Sequence, residues 1–486
     1  MSTEPLEFER VRFDLTLKNL SSLHIGSGID EVLPDNAGKK ETSQSYAEIC
    51  LDKHGCPYIP ASTLRGFLSE LMDDADDSRR SNIARALFGE KQGDDYLAGK
   101  VRVYDALFDH QSQCEEESPP IFFRTQVSMD PVTGTSKEHH LFSQKLVKPG
   151  SKFKLTIEID KPNQNELVGI AHALSAINSS QTAQIGKGKS TLMGQIAFPE
   201  WTLCGLSEKQ FICWLDSEGH QPLNDYYDDI TQKIIKLAKS DEQKSDQDSR
   251  FHRLALTIHP ASPVLVNDPH RVSNKSGEPD LEFTRVNNKL CIPASSLKGV
   301  MRAHCRKIML TMLEIKPDID FAIKEKRVDD LLTEIFGEKG QISLIRVGDA
   351  LSADDAIDHD QTFIAIDRFT GGVADGALCY VRAAFAEQLP FSIFVEKRAL
   401  QETWSLALLL MVLRDAFEGD IQLGWGKSKG YGTFSLTLLP PGQEKALTSW
   451  EECLTWMSKN NFGDKVQKSL SALESILGIT SSTDEK

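Results

Sequence analysis

The sequence has little of several features that define whole classes of protein. Its nine cysteines are scattered and form no CxxC pair, so neither a disulfide framework nor a zinc ribbon is expected. The most apolar segment, WSLALLLMVL at 404–413, is too short to cross a membrane. Positive charge is also scarce, because 55 Lys and Arg face 71 Asp and Glu. These absences disfavour a secreted disulfide-rich protein, a membrane protein and a generally cationic nucleic-acid binder.

What is present indicates an ordinary globular protein. The 486 residues, of which 40% are hydrophobic, are enough for two to four domains with cores of their own. The opening residues, MSTEPLEFERVRF, are too charged for a signal peptide. We therefore expect a soluble, cytoplasmic protein.

The chain contains an internal duplication. IPASTLRG at 59–66 returns as IPASSLKG at 292–299, an offset of 233 residues (292 − 59). Three further pairs follow in the same order, with offsets of 248, 237 and 238: LFGEK at 87–91 with IFGEK at 335–339, VSMDPVTG at 127–134 with IAIDRFTG at 364–371, and IGKGKSTLMG at 185–194 with LGWGKSKGYG at 423–432. Four collinear blocks at nearly constant spacing indicate a duplicated domain.

The spacing of the blocks predicts the domain organisation. Domain 1 is expected at 1–199, followed by a helical connector and charged linker at 200–249. Domain 2 is expected at 250–440, followed by a helical tail at 441–486 whose last residues, TSSTDEK, are expected to be disordered.

Each copy shows the same order of predicted elements. An alternating strand (11–20 and 252–260) is followed by an amphipathic helix after Pro60 or Pro293, which Ser62 or Ser295 is suited to cap. A strand (152–159 and 377–385), a second helix (166–177 and 404–413) and a closing strand complete the copy. This α+β order is that of a ferredoxin-like fold, also called the RNA-recognition-motif fold, in two tandem copies with helical extensions.

The glycine blocks have two interpretations. Each combines glycines with two lysines and no nearby acid, which suits a loop that contacts phosphate: Gly186, Lys187, Gly188 and Lys189 in copy 1, and Gly424, Gly426, Lys427 and Lys429 in copy 2. Neither block has the spacing of a Walker A or dinucleotide motif. A plain glycine-rich turn between helix and strand is the alternative.

The IPAS blocks also allow two interpretations. Each sets a helix N-terminus beside a cation, Arg65 or Lys298, and a glycine, Gly66 or Gly299. Free amides at a helix N-terminus bind anions, so contact with a phosphate backbone is one prediction. A capped helix used for packing is the other.

The polar loops before these helices carry candidate acids: Asp30 and Asp35 in copy 1, Asp268 and Asp280 in copy 2. Long loops often carry function, and a carboxylate near a bound phosphate can hold a divalent metal ion or orient an attacking hydroxyl. A solvated surface position is the alternative for each acid. Cys50, His54 and Cys56 lack a fourth zinc ligand at the usual spacing.

Taken together, LHIGSG, IPASTLRG, the aspartate block ending in TG and the terminal glycine loop resemble the RAMP (repeat-associated mysterious protein) superfamily. The likeness is to backbone subunits of type III CRISPR effector complexes, with two such subunits in one chain. It implies in each copy a palm and a thumb hairpin, near VSMDPVTG and IAIDRFTG, that pushes between bases of a guide and target duplex. It also implies binding of CRISPR RNA, target RNA and other effector subunits, with no membrane partner.

The resemblance further implies a target-RNA endoribonuclease that uses a loop aspartate and a divalent ion, Mg²⁺ or Mn²⁺. The aspartate position falls best on Asp280, which is also the expected metal ligand. Copy 1 has Ser45 and Tyr46 in the comparable stretch, so the two halves are not expected to be equal. RNA contact is likewise implied for Arg302 and Arg368.

Three functions fit this pattern. The first is a guide-binding backbone subunit that also cleaves target RNA in antiviral defence. The second is a backbone subunit with a purely structural role, and the third is a ribonuclease that processes precursor CRISPR RNA. Tandem full-length copies favour the first two, because a processing enzyme is expected to show a histidine or tyrosine base that the sequence does not reveal.

Overall fold

The computed structural model describes residues 7–32, 45–73, 78–92, 95–110, 120–130, 136–179, 182–217, 221–240, 250–271, 277–314, 320–338, 340–401 and 404–479. Asp35, residues 241–249 of the charged linker and the terminal TSSTDEK lie outside these ranges. In the described part of the chain, no helix is both long and apolar enough to span a membrane.

The first half contains, in chain order, the following strands and helices. They are β1 (Arg10–Asn19), β2 (Gly26–Val32), β3 (Ser45–Ile49), β4 (Tyr58–Ile59), α1 (Ala61–Met72), α2 (Ser78–Phe88), β5 (Glu90–Gln92), β6 (Asp95–Leu97), β7 (Val101–Val103), β8 (Ala106–Phe108), β9 (Ile121–Met129), β10 (Ser136–Val147), β11 (Lys152–Asp160), α3 (Gln164–Ser179) and β12 (Ile196–Leu206). The segment that follows contains α4 (Glu208–Asp216), β13 (Asp228–Asp229) and α5 (Thr231–Ser240).

The second half repeats the pattern. Its elements are β14 (Phe251–Pro260), β15 (Leu281–Glu282), β16 (Arg285–Val286), β17 (Lys289–Ile292), α6 (Ala294–Glu314), α7 (Phe321–Phe336), β18 (Ile345–Val347), β19 (Ala350–Leu351), β20 (Ile357–Ile366), β21 (Val373–Phe385), β22 (Leu389–Glu396), α8 (Lys397–Gln401), α9 (Trp404–Phe417), β23 (Phe434–Leu439), α10 (Trp450–Lys459) and α11 (Gly463–Ile476). Short 3-10 turns occur at Lys189–Thr191, Leu223–Tyr226 and Lys427–Lys429.

Each half is built on one antiparallel palm sheet. In repeat 1, β1 lies between β12 and β11, and β7 and β8 pair with the far edge of β11. In repeat 2 the order is β18-β22-β14-β23. Numbered within a repeat as four palm strands, both sheets have the order 4-1-3-2 with two crossing helices, which confirms the ferredoxin-like fold.

The palm cores follow from strand alternation. Along β1 every second side chain is buried, so that Val11, Phe13, Leu15 and Leu17 face the helices. Leu64 of α1 and Leu174 of α3 are fully buried against this face, and Leu297 of α6 and Leu408 of α9 occupy the corresponding core in repeat 2. Each such side chain contributes about 1.5–3 kcal/mol when it is removed from water.

The helical extensions pack onto their own repeats. Ile234 of α5 is fully buried in the core of repeat 1, and Leu473 of α11 is fully buried in the core of repeat 2. Strand β12 continues through residue 199 to Leu206, and the rest of the predicted connector contains α4 and α5.

The thumbs are the β9–β10 and β20–β21 pairs. In repeat 2 the strands pair from Ile357↔Phe385 to Ile366↔Val373, and the turn is fixed by Asp367, whose carboxylate accepts N–H groups of Phe369 (2.8 Å) and Thr370 (2.7 Å). Phe369 at the tip is 99% exposed. The hairpin implied for copy 2 is therefore present, whereas the corresponding turn of copy 1, residues 131–135, lies outside the described ranges.

One predicted strand belongs to a different sheet. Residues 377–385 were expected to match the palm strand at 152–159, but they form the C-terminal part of thumb strand β21. The palm strand that matches β11 is β22, at Leu389–Glu396. Alternation correctly predicts a strand here, yet it does not say with which sheet the strand pairs.

The repeats contact one another head to tail through a buried ion pair. Arg124 of β9, which is 3% exposed, donates to both carboxylate oxygens of Asp349 in repeat 2, at 2.8 and 3.2 Å. Burial opposes the charge of Arg124, but Asp349 outweighs it and raises the pKa of the guanidinium. Thr125 adds a 2.8 Å hydrogen bond to His270 of repeat 2.

The glycine loop of repeat 1 completes this contact. Leu192 forms a small apolar cluster with Phe251 and Phe394 of repeat 2, and all three side chains are about 95% buried. Gln184 accepts a 2.7 Å hydrogen bond from Arg346 of β18. Leu192 has φ = 49°, a left-handed conformation that is unfavourable for leucine. A strained backbone therefore places this side chain in the apolar cluster with Phe251 and Phe394.

Replacing Arg124 by alanine should destabilise the protein by about 3–5 kcal/mol, because Asp349 would remain in the interface without its countercharge. Thermal or urea unfolding measures this loss. The matched control is Arg102→Ala, which breaks a half-exposed pair with Asp160 and should cost less than about 1 kcal/mol. Equal effects of the two substitutions would show that the buried pair does not hold the repeats together.

Candidate nucleic-acid interface

The glycine blocks fold into the same turn in both repeats. A Cβ on Gly186 would lie 2.3 Å from the carbonyl oxygen of His24, and a Cβ on Gly424 would lie 2.3 Å from that of Leu265. The amide of the next residue donates to the same carbonyl, at 3.0 Å and 2.7 Å respectively. The main chain itself therefore requires these two glycines, as the turn interpretation proposes.

Gly188 and Gly426 begin the 3-10 turns that present the lysines. Both have left-handed φ angles, 84° and 77°, and a side chain on either would meet the residue five positions later. Four exposed lysines project from the two turns: Lys187, Lys189, Lys427 and Lys429.

Two of the four lysines lie over aromatic rings, and one lies near an acid. The Nζ of Lys187 lies 4.4 Å from the ring centroid of Phe142, and that of Lys429 lies 4.4 Å from the ring of Phe363. Lys189 lies 3.8 Å from a carboxylate oxygen of Glu70. Among the described residues, no acid forms an ion pair with Lys187, Lys427 or Lys429. These three charges are therefore available to an anionic ligand.

An aspartate occupies the N-terminus of each IPAS helix. The amide of Ala61 donates to Asp105 Oδ1 at 2.7 Å, and that of Ala294 donates to Asp349 Oδ1 at 2.8 Å. The predicted serine caps are wrong, because both helices begin before the serine: Pro60 precedes α1 and makes no side-chain cap, and α6 begins at Ala294. The capping residue comes from elsewhere in the fold.

Asp105 and Asp349 were not identified from the sequence. They lie in RVYDAL at 102–107 and RVGDAL at 346–351, which are identical except for Tyr104 and Gly348 and form a fifth collinear block. That repetition was the available signal.

The cations of the IPAS blocks turn towards the protein. Arg65 donates to the carbonyls of Phe88 (2.6 Å) and Val101 (2.8 Å), which joins α1 to the end of α2 and to β7. Lys298 donates to Ser343 Oγ at 2.9 Å beside the corresponding end of α7. Burial, together with the nearby Arg302, lowers the pKa of Lys298 to about 8. Both geometries match the packing interpretation, and phosphate contact by these cations stays a prediction.

Gly66 and Gly299 differ from the other glycines of the site. Each lies in the second turn of its helix, is exposed, and has no heavy atom within 4 Å of where a Cβ would be. Glycine inside a helix costs about 0.5–1 kcal/mol relative to alanine. Since neither packing nor backbone conformation requires it, its presence at the same position in both repeats favours the close approach of an external ligand.

Asp280 lies directly before β15, which runs parallel to thumb strand β21. It is exposed, its amide donates to the carbonyl of Tyr380 at 2.8 Å, and its carboxylate accepts the amide of Tyr380 at 2.7 Å. Two residues further on, buried Glu282 lies 3.3 Å from Arg285. Asp280 is therefore exposed, and its two hydrogen bonds with Tyr380 hold it against the thumb.

The position of Asp280 is occupied in repeat 1 by Tyr46. Its strand, β3, runs parallel to thumb strand β10 with Tyr46 opposite Ser143, just as β15 runs beside β21. The Tyr46 hydroxyl donates to Glu31 at 2.7 Å and contacts Glu48 at 3.2 Å. Burial, together with these acids, raises the pKa of Tyr46, so the phenol stays neutral. The two repeats thus present different chemistry at equivalent places.

The remaining candidate residues are dispersed. Asp268 is 8% exposed and accepts the amide of His270 at 3.1 Å, and burial raises its pKa. Asp30 is exposed on β2 opposite Ala47, Arg302 contacts Thr333 at 3.4 Å, and Arg368 is exposed in the thumb turn. Neither Asp30 nor Asp268 is joined to Asp280 by a described hydrogen bond.

Among the described residues, Asp280 does not belong to a group of three potential metal ligands. Within the described ranges, the group of three potential ligands that lie close enough together is Asp415, Glu418 and Asp420, where Asp415 already binds His304 (2.6 Å) and Arg414 (2.7 Å). A divalent ion at Asp280 would take its other ligands from RNA phosphates and water. The residues present therefore do not by themselves fit a resident metal.

Comparison with known protein families gives a match over both repeats. A family model described as the RAMP superfamily matches residues 16–195 and residues 257–435, one segment in each repeat and together more than half of the chain. No curated protein matches the sequence.

The partly buried Lys298 should make stability depend on pH. Its pKa of about 8 lies below the ordinary 10.5, so the native state binds fewer protons than the unfolded state between these values, and stability increases as pH rises from about 8 to 10.5. Lys298→Met should lose this dependence, which urea unfolding across that range measures relative to wild type. The exposed Lys187→Met is the control for the loss of one lysine charge. A difference between Lys298→Met and wild type that is constant over this range would contradict the lowered pKa of Lys298.

Proposed function

The chain belongs to the RAMP superfamily, whose members include CRISPR-associated RNA-binding subunits, and from this we propose that it is a backbone subunit of a type III effector complex. In this proposal each repeat holds a stretch of CRISPR RNA. Repeat 2 also cleaves the paired target RNA, with Asp280 as the catalytic residue.

The observation that carries RNA binding is the pair of unobstructed helix glycines, Gly66 and Gly299. An RNA backbone that crosses each helix at its glycine would approach more closely than any side chain permits. The exposed Lys187, Lys427 and Lys429 supply positive charge on the neighbouring turns, which offsets the repulsion expected from a net charge of −16.

The thumb of repeat 2 supports contact with a base-paired target. Phe369 presents a fully exposed ring at the end of a hairpin whose turn is fixed by Asp367. An apolar wedge of this kind can enter between base steps and separate them. Separation frees the neighbouring ribose to rotate, which in-line attack on the next phosphate requires.

The cleavage step needs little from the protein because the nucleophile belongs to the substrate. The ribose 2′-hydroxyl gives up its proton as its oxygen attacks the adjacent phosphorus. The bond to the leaving 5′-oxygen then breaks and that oxygen takes up a proton. We assign Asp280 the alignment of the 2′-hydroxyl and acceptance of its proton. The neutral Tyr46 offers no such acceptor, so repeat 1 is proposed to bind without cleaving.

The alternative is a backbone subunit that does not cleave. It is favoured by the hydrogen bond between the Asp280 carboxylate and the Tyr380 amide, because this contact gives Asp280 a structural role in joining β15 to the thumb.

Guide binding should depend on salt through the glycine-loop lysines. Lys427→Ala combined with Lys429→Ala should flatten the slope of log affinity against log salt by about 1.4 units, since each of two single-strand phosphate contacts contributes about 0.7. Fluorescence anisotropy with a guide RNA measures the slope. The matched control removes two exposed tail lysines, Lys459→Ala and Lys468→Ala, and should leave the slope unchanged. An unaltered slope in the first variant would remove the loop from the RNA path.

Cleavage should depend on Asp280 and on the target 2′-hydroxyl. Asp280→Asn keeps an acceptor for the Tyr380 amide, so it should abolish one cut while guide binding and the melting temperature stay unchanged. Tyr46→Phe is the control in repeat 1 and should leave every cut in place. A target with one 2′-deoxy nucleotide immediately 5′ of the cut should pair with the guide but resist scission there.

Gel analysis of end-labelled target resolves the individual cuts. Persistence of all cuts in the Asp280→Asn variant would support the purely structural subunit. Cutting of the deoxy-substituted target at the same position and rate would exclude the 2′-hydroxyl as the nucleophile.

A further inference from the structure

The contact between the repeats provides a template for contacts at the ends of the chain. Repeat 1 contributes a donor face, formed by Arg124 and Leu192, and repeat 2 contributes an acceptor face, formed by Phe251, Gly348, Asp349 and Phe394. Because the repeats are duplicates, repeat 2 has a second donor-type face and repeat 1 a second acceptor-type face. Head-to-tail contacts of this kind extend without limit when every face is retained.

The acceptor-type face of repeat 1 has charged residues at two positions that are apolar in repeat 2. The paired palm strands place Arg10 and Glu158 where repeat 2 has Phe251 and Phe394. Arg10 pairs with Asp160 at 2.9 Å, and Arg102 pairs with the same carboxylate. A stacked repeat would bury these charges, and they would lose the water that now solvates them.

The space that receives Leu192 is also filled in repeat 1. In repeat 2, a Cβ on Gly348 would already touch Leu192 Cδ1, at 3.4 Å, so a larger side chain would occupy the space that Leu192 fills. The corresponding residue in repeat 1 is Tyr104, which is 46% exposed and donates a 3.0 Å hydrogen bond to Glu158. Its phenol stands where an incoming leucine would pack.

The donor-type face of repeat 2 has lost the matching groups. Gly430 replaces Leu192, and a Cβ at this position would meet nothing within 4 Å. Gln361 replaces Arg124, and its side-chain oxygen accepts a 2.6 Å hydrogen bond from Tyr431. Repeat 2 therefore offers neither the apolar side chain nor the cation that joins the repeats within the chain.

We infer that the two free faces of this chain are not complementary, so that a second copy adds to neither end. The protein then enters an assembly as a single copy between neighbours of other sequence. A protein partner at the repeat 1 face has to match the charged surface of Arg10, Arg102, Glu158 and Asp160 rather than fill an apolar pocket. This inference is independent of RNA cleavage, because it rests on the protein–protein contact alone.

The first test is sedimentation of the wild-type chain without RNA. We expect the mass of one chain from low to high micromolar concentration. Growth into oligomers as the concentration increases would overturn the inference. This measurement does not depend on the folding of any variant.

The second test restores the two faces separately. The donor variant carries Gln361→Arg and Gly430→Leu, and the acceptor variant carries Arg10→Phe, Tyr104→Gly and Glu158→Phe. Each variant alone should sediment as a single chain, since its other face is unchanged. An equal mixture should form a complex of two chains and stop there.

Circular dichroism of each variant shows whether it is folded before mixing. A mixture of folded variants that remains two separate chains would overturn the inference, because the internal contact would then not be the template. Self-association of either variant alone would overturn it as well, since it would show that the altered residues do not act in complementary pairs.

Discussion

The structure depends on one interaction, the binding of an aspartate to the N-terminus of a helix. The first amides of a helix have no earlier carbonyl to bind, and their partial positive charge attracts a carboxylate. Asp105 satisfies this need in repeat 1 and Asp349 in repeat 2. Asp349 also forms the ion pair with Arg124 of repeat 1, so one side chain both caps a helix and joins the repeats.

The same capping explains which cations remain for an anionic ligand. With the helix N-terminus occupied by a carboxylate, Arg65 and Lys298 point towards the ends of α2 and α7, where they bind a carbonyl or a serine hydroxyl. Positive charge is then left on the turns of the glycine blocks. There, required glycines hold Lys187 and Lys429 at the surface beside aromatic rings. An acidic protein can thus present basic strips without being basic overall.

The sequence was sufficient where the relevant contact is local or repeated. Strand alternation, helical spacing and the duplicated blocks together indicate two ferredoxin-like palms. Counting back from Pro60 and Pro293 comes within one residue of aligning Asp280 with Tyr46, its counterpart in the strand registers.

Prediction failed where the partner lies far along the chain. Ser62 is next to the helix start, but Asp105, 44 residues beyond Ala61, is the residue that binds its amide. Residues 377–385 alternate like a palm strand, yet pairing with β20 places them in the thumb.

The thumb also fixes the distance between Asp280 and the tip of the hairpin. Asp280 is hydrogen-bonded through both its amide and its carboxylate to Tyr380. Tyr380 pairs with Thr362, and Val373 at the turn pairs with Ile366, so four residues of the partner strand β20 separate the two points, a span of about 14 Å. In the proposed function, the length of the paired thumb strands, rather than the identity of a base, would therefore select the phosphate that meets the carboxylate.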